Sequence, residues 1–200
     1  MSLKHSLLII LMAACCGCGK KKVESKPPVP ADDNPLTYFS MYDFVKDQWE
    51  IHRGQPYVLT KFVTKDGKTD SSMVSVFDMD LGSIMQEFIK TDIGDKKFIG
   101  KYDFSVVDDA SSFTRSYYYE ANEPDLYTRT LQITTDPTNG KIKSVFVKAS
   151  DNKGSPRKSV KLYYSLRKVI QIQELIKPRF GAAKEVKTEY RFPQEDSSFE

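Results

Sequence analysis

The sequence predicts an α+β fold: a curved antiparallel β-meander with one or two helices packed on one face. Three observations predict it. From Tyr57 onward, apolar and polar residues alternate with period two in a series of short segments. Turn-forming runs such as Lys65-Asp66-Gly67-Lys68 and Asp136-Pro137-Thr138-Asn139-Gly140 separate neighbouring segments, and such short loops join antiparallel partners. Helical spacing of apolar residues is confined to the stretch before Gly54 and to residues 80–94, which leaves no crossover helices for parallel units.

Asn34-Pro35 has the composition of a helix cap followed by proline at the first helical position. Tyr38, Tyr42, Val45 and Trp49 then recur at helical spacing, with Met41, Phe44, Gln48 and Ile51 alongside, and Gly54 and Pro56 stop the helix. This aromatic stripe is read as core. Strands are expected over residues 57–64 and 73–77. A second helix starts near Asp80, carries Ile84, Met85, Phe88 and Ile89 on one side, and ends at Gly94. Further strands are expected over 113–120, 127–135, 142–149, 159–165, 169–176 and 186–192. Several place charged or polar residues opposite the apolar row, as in Glu185, Lys187, Glu189 and Arg191, so those faces are wet. In the 103–120 region Tyr117 and Tyr119 oppose Tyr118. Both faces are expected to be covered there, the alternative being that one lines a cavity.

The 200 residues are 40% hydrophobic and include 12 Phe, 11 Tyr and one Trp, too aromatic for a chain that cannot build a core. That is one domain with tails. Of the 30 Lys and Arg residues, Lys4, Lys20, Lys21 and Lys22 lie in the first 22 positions. The remaining 26 face 27 acids, a net of −1. A nucleic-acid binder concentrates positive charge on its folded part, so no nucleic-acid partner is expected.

The basic start has another reading. Lys4 and His5 precede the apolar run Leu7-Leu8-Ile9-Ile10-Leu11-Met12-Ala13-Ala14. It is far shorter than the roughly 20 residues of a spanning helix and has the length of a signal-peptide core. All three cysteines follow at once, as Cys15-Cys16-Gly17-Cys18. Residues 12–15 resemble the lipobox of bacterial lipoproteins, with small residues at the two positions before Cys15. Met12 departs from the usual Leu or Val. The resemblance implies cleavage before Cys15 and its acylation, with Cys18, preceded by Gly17, as the second candidate. Cys16 is then a spectator.

Val23 to Pro35 reads VESKPPVPADDNP, a proline-rich tether. In an extended polyproline form of ~3.1 Å per residue it holds a domain up to about 40 Å from a bilayer. The expected organisation is a signal peptide over 1–14, anchor cysteine and tether over 15–35, a globular domain over 36–192 and an acidic tail over 193–200.

The domain is similar to a group of envelope lipoproteins of Bacteroidota-type bacteria. The resemblance is carried by Tyr38-Phe39-Ser40, Thr64-Lys65-Asp66-Gly67-Lys68, Phe88-Ile89-Lys90-Thr91-Asp92-Ile93 and Leu162-Tyr163-Tyr164. It implies location and shape, not chemistry. In that lineage acidic residues after the lipid cysteine accompany export to the surface. Lysines follow here, which implies a periplasm-facing domain.

Residues for catalysis are sparse. After cleavage His52 is the sole histidine, and its place at a helix end suits complementing the negative pole of the helix dipole. No distal cysteine exists to pair with it, and no Gly-x-Ser-x-Gly elbow or glycine-rich phosphate loop occurs. Asp78 and Asp80 suit capping a helix start, and Asp108-Asp109 lies in an expected turn. No catalytic residue, metal ligand or cofactor is therefore assigned. Lys143, Lys148, Arg157, Lys158 and Lys161 are read as solvated strand faces, with a basic patch as the alternative.

These readings add up to an expectation: a membrane-tethered, non-catalytic binding or interaction module of the bacterial cell envelope. Its expected partners are the membrane, reached through N-terminal acyl chains, and an envelope protein or apolar ligand. The alternatives are a carboxylate-based envelope hydrolase and a structural subunit of an envelope complex.

Overall fold

A computed structural model describes residues 38–56, 58–76, 81–151 and 154–193. The signal segment, Cys15, Cys16 and Cys18, the tether with Asn34-Pro35, the acids Asp78 and Asp80, and positions 194–200 lie outside the described residues.

Eleven main elements follow in order: α1 (Met41–His52), β1 (Val58–Lys65), β2 (Lys68–Ser75), α2 (Leu81–Ile89), β3 (Tyr102–Asp109), β4 (Thr114–Ala121), β5 (Thr128–Thr135), β6 (Ile142–Asp151), β7 (Arg157–Ser165), β8 (Val169–Lys177) and β9 (Lys184–Arg191). The strands form one antiparallel sheet in the order β2-β1-β9-β8-β7-β6-β5-β4-β3. Strands β3 to β9 make an unbroken meander, and the first hairpin joins its far end through β1 on β9. The fold is α+β, an antiparallel meander with two helices on one face.

Turn chemistry fixes the register where the sequence marks it. Lys65 pairs with Lys68 across Asp66 and Gly67, both at positive φ (52° and 75°). That left-handed pair matches the twist of a two-residue hairpin. In the β5–β6 turn the Asp136 carboxylate accepts the Thr138 amide, and Gly140 takes φ 70°.

Alternation decides which side of each strand is buried. Leu131 and Ile133 on β5, Val145 and Val147 on β6, Leu162 and Tyr164 on β7 and Ile170 on β8 are essentially inaccessible. Onto this face α1 lays Phe44, edge-on to Tyr164 at 5.2 Å, and Gln48, whose Oε1 accepts the buried Tyr164 hydroxyl. Helix α2 adds Leu81, Met85 and Phe88. Each fully buried side chain of this size contributes about 1.5–3 kcal/mol.

Four expectations need correction. Helix α1 starts at Met41, not near Pro35, because the Ser40 hydroxyl accepts the Asp43 amide at 3.1 Å and the Asp92 carboxylate accepts the Met41 amide at 2.8 Å. Tyr38 therefore precedes the helix. The buried stripe of α1 is Met41, Phe44, Val45, Gln48 and His52, while Tyr42 is 55% exposed. Several stripes share Val45, and docking on Tyr164 selects this one. Strand β3 is not among the expected strands, and Asp108-Asp109, expected in a turn, form its end; the adjacent Val106-Val107 and the acids Asp103, Asp108 and Asp109 break the alternation. As an edge strand it tolerates them. Strand β2 covers Lys68–Ser75, earlier than the expected 73–77, because the hairpin register starts at Lys68.

Candidate binding face

The face of the sheet opposite the helices is defined by pairing register. One rung crosses all nine strands as Ser71, Phe62, Glu189, Gln171, Tyr163, Phe146, Gln132, Tyr118 and Ser105. Among the described residues no helix lies on this side. Its middle carries a ridge, Tyr163–Phe146–Gln132–Tyr118, each member half-buried.

The rung beside the ridge is made of small hydroxyl residues. Ser165, Ser144, Thr134 and Ser116 are cross-strand neighbours on β7, β6, β5 and β4. Adjacent strands lie about 4.8 Å apart, so these four hydroxyls span roughly 14 Å. Ser116 and Thr134 share a hydrogen bond of 3.0 Å, and Gln132 Nε2 donates to Thr134 Oγ1 at 3.4 Å. Large residues beside small ones make a trough. At its β4–β5 end it opens into a depression of about 650 Å³, lined by Ser116, Thr134, Gln132, Tyr118, Val107 and the turn after β3.

The rung on the ridge's other side runs through Lys187, Gln173, Lys161, Lys148 and Thr130 and ends on the acids Glu120 and Asp103 of β4 and β3. Lys148 Nζ sits 5.6 Å from the Phe146 ring centre, within cation–π range. Arg157 and Lys177 pair further along β7 and β8 on the same face. On β5–β8 this face therefore bears Lys148, Arg157, Lys161 and Lys177 and no acid. Towards β9 the charges are compensated. Glu189, only 8% exposed, is held by Lys187 at 2.8 Å and by Arg191, whose guanidinium covers the Phe62 ring at 4.5 Å. Burial raises the Glu189 pKa, but hydrogen bonds from Lys187 and Arg191 bring it below the ordinary carboxylate value.

The five basic residues singled out in the sequence do not gather. Lys143 bonds the Phe113 carbonyl at 3.2 Å and neighbours Asp136 at 3.7 Å. Lys158 lies on the helix side, paired with Glu174 and, at 3.6 Å, with Glu87. Only Lys148, Arg157 and Lys161 share the open face. The expectation that both faces near Tyr117-Tyr118-Tyr119 are covered also fails. Tyr119 is buried against Tyr38 at 5.6 Å, while Tyr118 lines the open depression.

His52 is 3% exposed and tilted against Phe192 at 5.1 Å. Burial, with Arg167 as a smaller cause, lowers its pKa below 6.5, so it is neutral at pH 7 and does not act as a cation on the helix dipole. Asp108 is clasped by Arg115 at 2.6 and 3.0 Å. Asp109 accepts from Ser111 and Ser112, which lowers its pKa to about 2. Glu87, Glu174 and Glu189, the least exposed glutamates among the described residues, each face a lysine. Among the described residues no three His, Cys, Asp or Glu side chains converge as a metal site, and no helix is long and apolar enough to cross a membrane.

The residues missed in the sequence were Phe146, Gln132, Ser144, Thr134 and Ser116. Their signal was available in the even positions of Ser144-Val145-Phe146-Val147-Lys148, which form a set distinct from the core valines. In comparisons with known proteins the chain matches no family model, no curated protein and no solved structure.

Proposed function

We propose that this chain is a membrane-tethered bacterial lipoprotein, acylated at Cys15, that works as a non-catalytic binding module of the cell envelope and recognises its partner on the open face of the sheet. One observation carries the reading. The uncovered side of strands β5–β8 joins half-buried aromatic residues to four cations with no acid among them. Stability does not require this composition, because an antiparallel sheet needs one buried face only. The apolar run ending in Ala13-Ala14-Cys15 and the proline tether support the anchor, since acyl chains gain about 0.8 kcal/mol per buried methylene and stable attachment takes more than one chain. Lys20, Lys21 and Lys22 would lie at headgroup level and add attraction to an anionic surface.

Two measurements test the reading. Radiolabelled palmitate incorporates into the full chain and is lost in Cys15→Ala; label that persists there moves the anchor to Cys18 or Cys16 and contradicts the assignment. A photo-crosslinking residue replacing Phe146 yields an adduct in intact cells, and the same residue replacing the exposed Tyr42 on the helix side yields none. Equal yields, or none at Phe146, contradict the binding face.

A further inference from the structure

We infer that the trough on the open face binds an extended anionic glycan, with sugar rings on the aromatic ridge and acidic substituents on Lys148 and Lys161. The inference rests on the binding-face reading above and names its ligand class.

The hydroxyl rung crosses four strands, a length that suits a polymer. Its floor, Ser165–Ser144–Thr134–Ser116, offers hydroxyls that both donate and accept, which matches a ligand rich in hydroxyls of its own. The ridge offers Tyr163, Phe146 and Tyr118. Aromatic faces carry negative charge density, and the axial C–H groups of a pyranose are complementary to it. The depression of about 650 Å³ at the β4–β5 end falls within the 300–1,000 Å³ typical of ligand sites.

Charge selects among polymers. Lys148, Arg157, Lys161 and Lys177 are exposed, and none has an acidic side chain in ion-pair reach among the described residues. Such a patch draws anions and repels cations. The acids of the depression are already committed, Asp108 to Arg115 and Asp109 to two serines, so the ring nearest them is a neutral one and the acidic groups sit towards β6 and β7.

Two other anionic partners fit less well. A peptide that docks by adding a strand needs a sheet edge, and β4 to β7 are paired on both sides and offer none. An anionic bilayer calls for protruding apolar wedges, whereas Phe146 and Tyr163 are half-buried within the rung.

The test uses the full chain and titration calorimetry with polygalacturonate oligosaccharides, their carboxyl-reduced counterparts, polyglutamate, and vesicles of phosphatidylglycerol. Polygalacturonate is expected to bind at least tenfold more tightly than the other three. Lys148→Glu with Lys161→Glu, and separately Phe146→Ala with Tyr163→Ala, each weaken it at least tenfold while unfolding stays a single cooperative transition. The control Lys96→Glu, at the exposed start of the short 3-10 turn Lys96–Phe98 between α2 and β3, changes nothing. Equal binding of the reduced oligosaccharide, preference for polyglutamate or vesicles, or no binding overturns the inference. If crosslinks still form at the Phe146 position in cells, that failure is one of ligand class; if they also fail, the binding face itself is wrong.

Discussion

Strands β6 and β7 carry two sets of residues with opposite fates. Val145, Val147, Leu162 and Tyr164 turn toward α1 and α2 and lose all contact with water. One position away, Ser144, Phe146, Lys148, Lys161 and Tyr163 stay accessible. The backbone and its pairing are shared, so the difference lies in side chains alone. The first set supplies the folding free energy. The second contributes little to stability and is therefore free to be chosen for recognition.

Substitutions that separate the two faces sharpen this comparison. The largest effect is expected on the covered side: Leu162→Ala should cost about 2–5 kcal/mol, measured by urea unfolding. Phe146→Ala, one strand away on the open face, should cost under about 1 kcal/mol. Comparable losses would erase the distinction between the faces. Tyr164→Phe should cost about 1–3 kcal/mol, because Gln48 Oε1 loses a buried donor. Tyr163→Phe should be nearly neutral in the same measurement. Gly94→Ala should cost about 1–3 kcal/mol, since a Cβ there would sit 2.9 Å from Ser40 Cα and push apart the start of α1 and the exit of α2. No open-face substitution should affect that junction.

Protonation separates the faces as well. His52 lies on the covered side with its pKa held below 6.5. The unfolded chain then binds the proton more readily than the folded one, so stability falls as pH drops below about 6.5. Unfolding midpoints between pH 7 and pH 5 should decline less in His52→Phe than in the parent chain; identical slopes would remove His52 as the cause. Glu189 on the open face acts lower, its stabilising contribution being lost as pH falls below about 4.5. A further effect is local to one turn. Gly67→Ala, at φ 75° in the β1–β2 turn, should cost about 1 kcal/mol through backbone strain.

Much of the fold was legible because its signals are local. Period-two alternation located seven of the nine strands closely, and Asp66-Gly67 and Asn139-Gly140 marked their turns. The apolar set Ile84, Met85, Phe88 and Ile89 located α2, which ends at Ile89 and not at Gly94. The start of α1 was not legible, because it depends on Asp92, a residue 51 positions away that caps Met41. The union of β1 with β9 is likewise non-local. The candidate face was half legible. Lys148 and Lys161 were noticed as cations, but Lys143 and Lys158 have the same composition and different partners. Only the register shows that Lys148 and Lys161 lie directly opposite each other.

The central claim is that the open face of β5–β8 is occupied in the living envelope. Lysine acylation of intact envelopes, compared residue by residue with the purified full chain, tests it directly. The account predicts Lys148 and Lys161 to be protected several-fold in the envelope while Lys96 is labelled equally in both. Equal labelling of all three would contradict it.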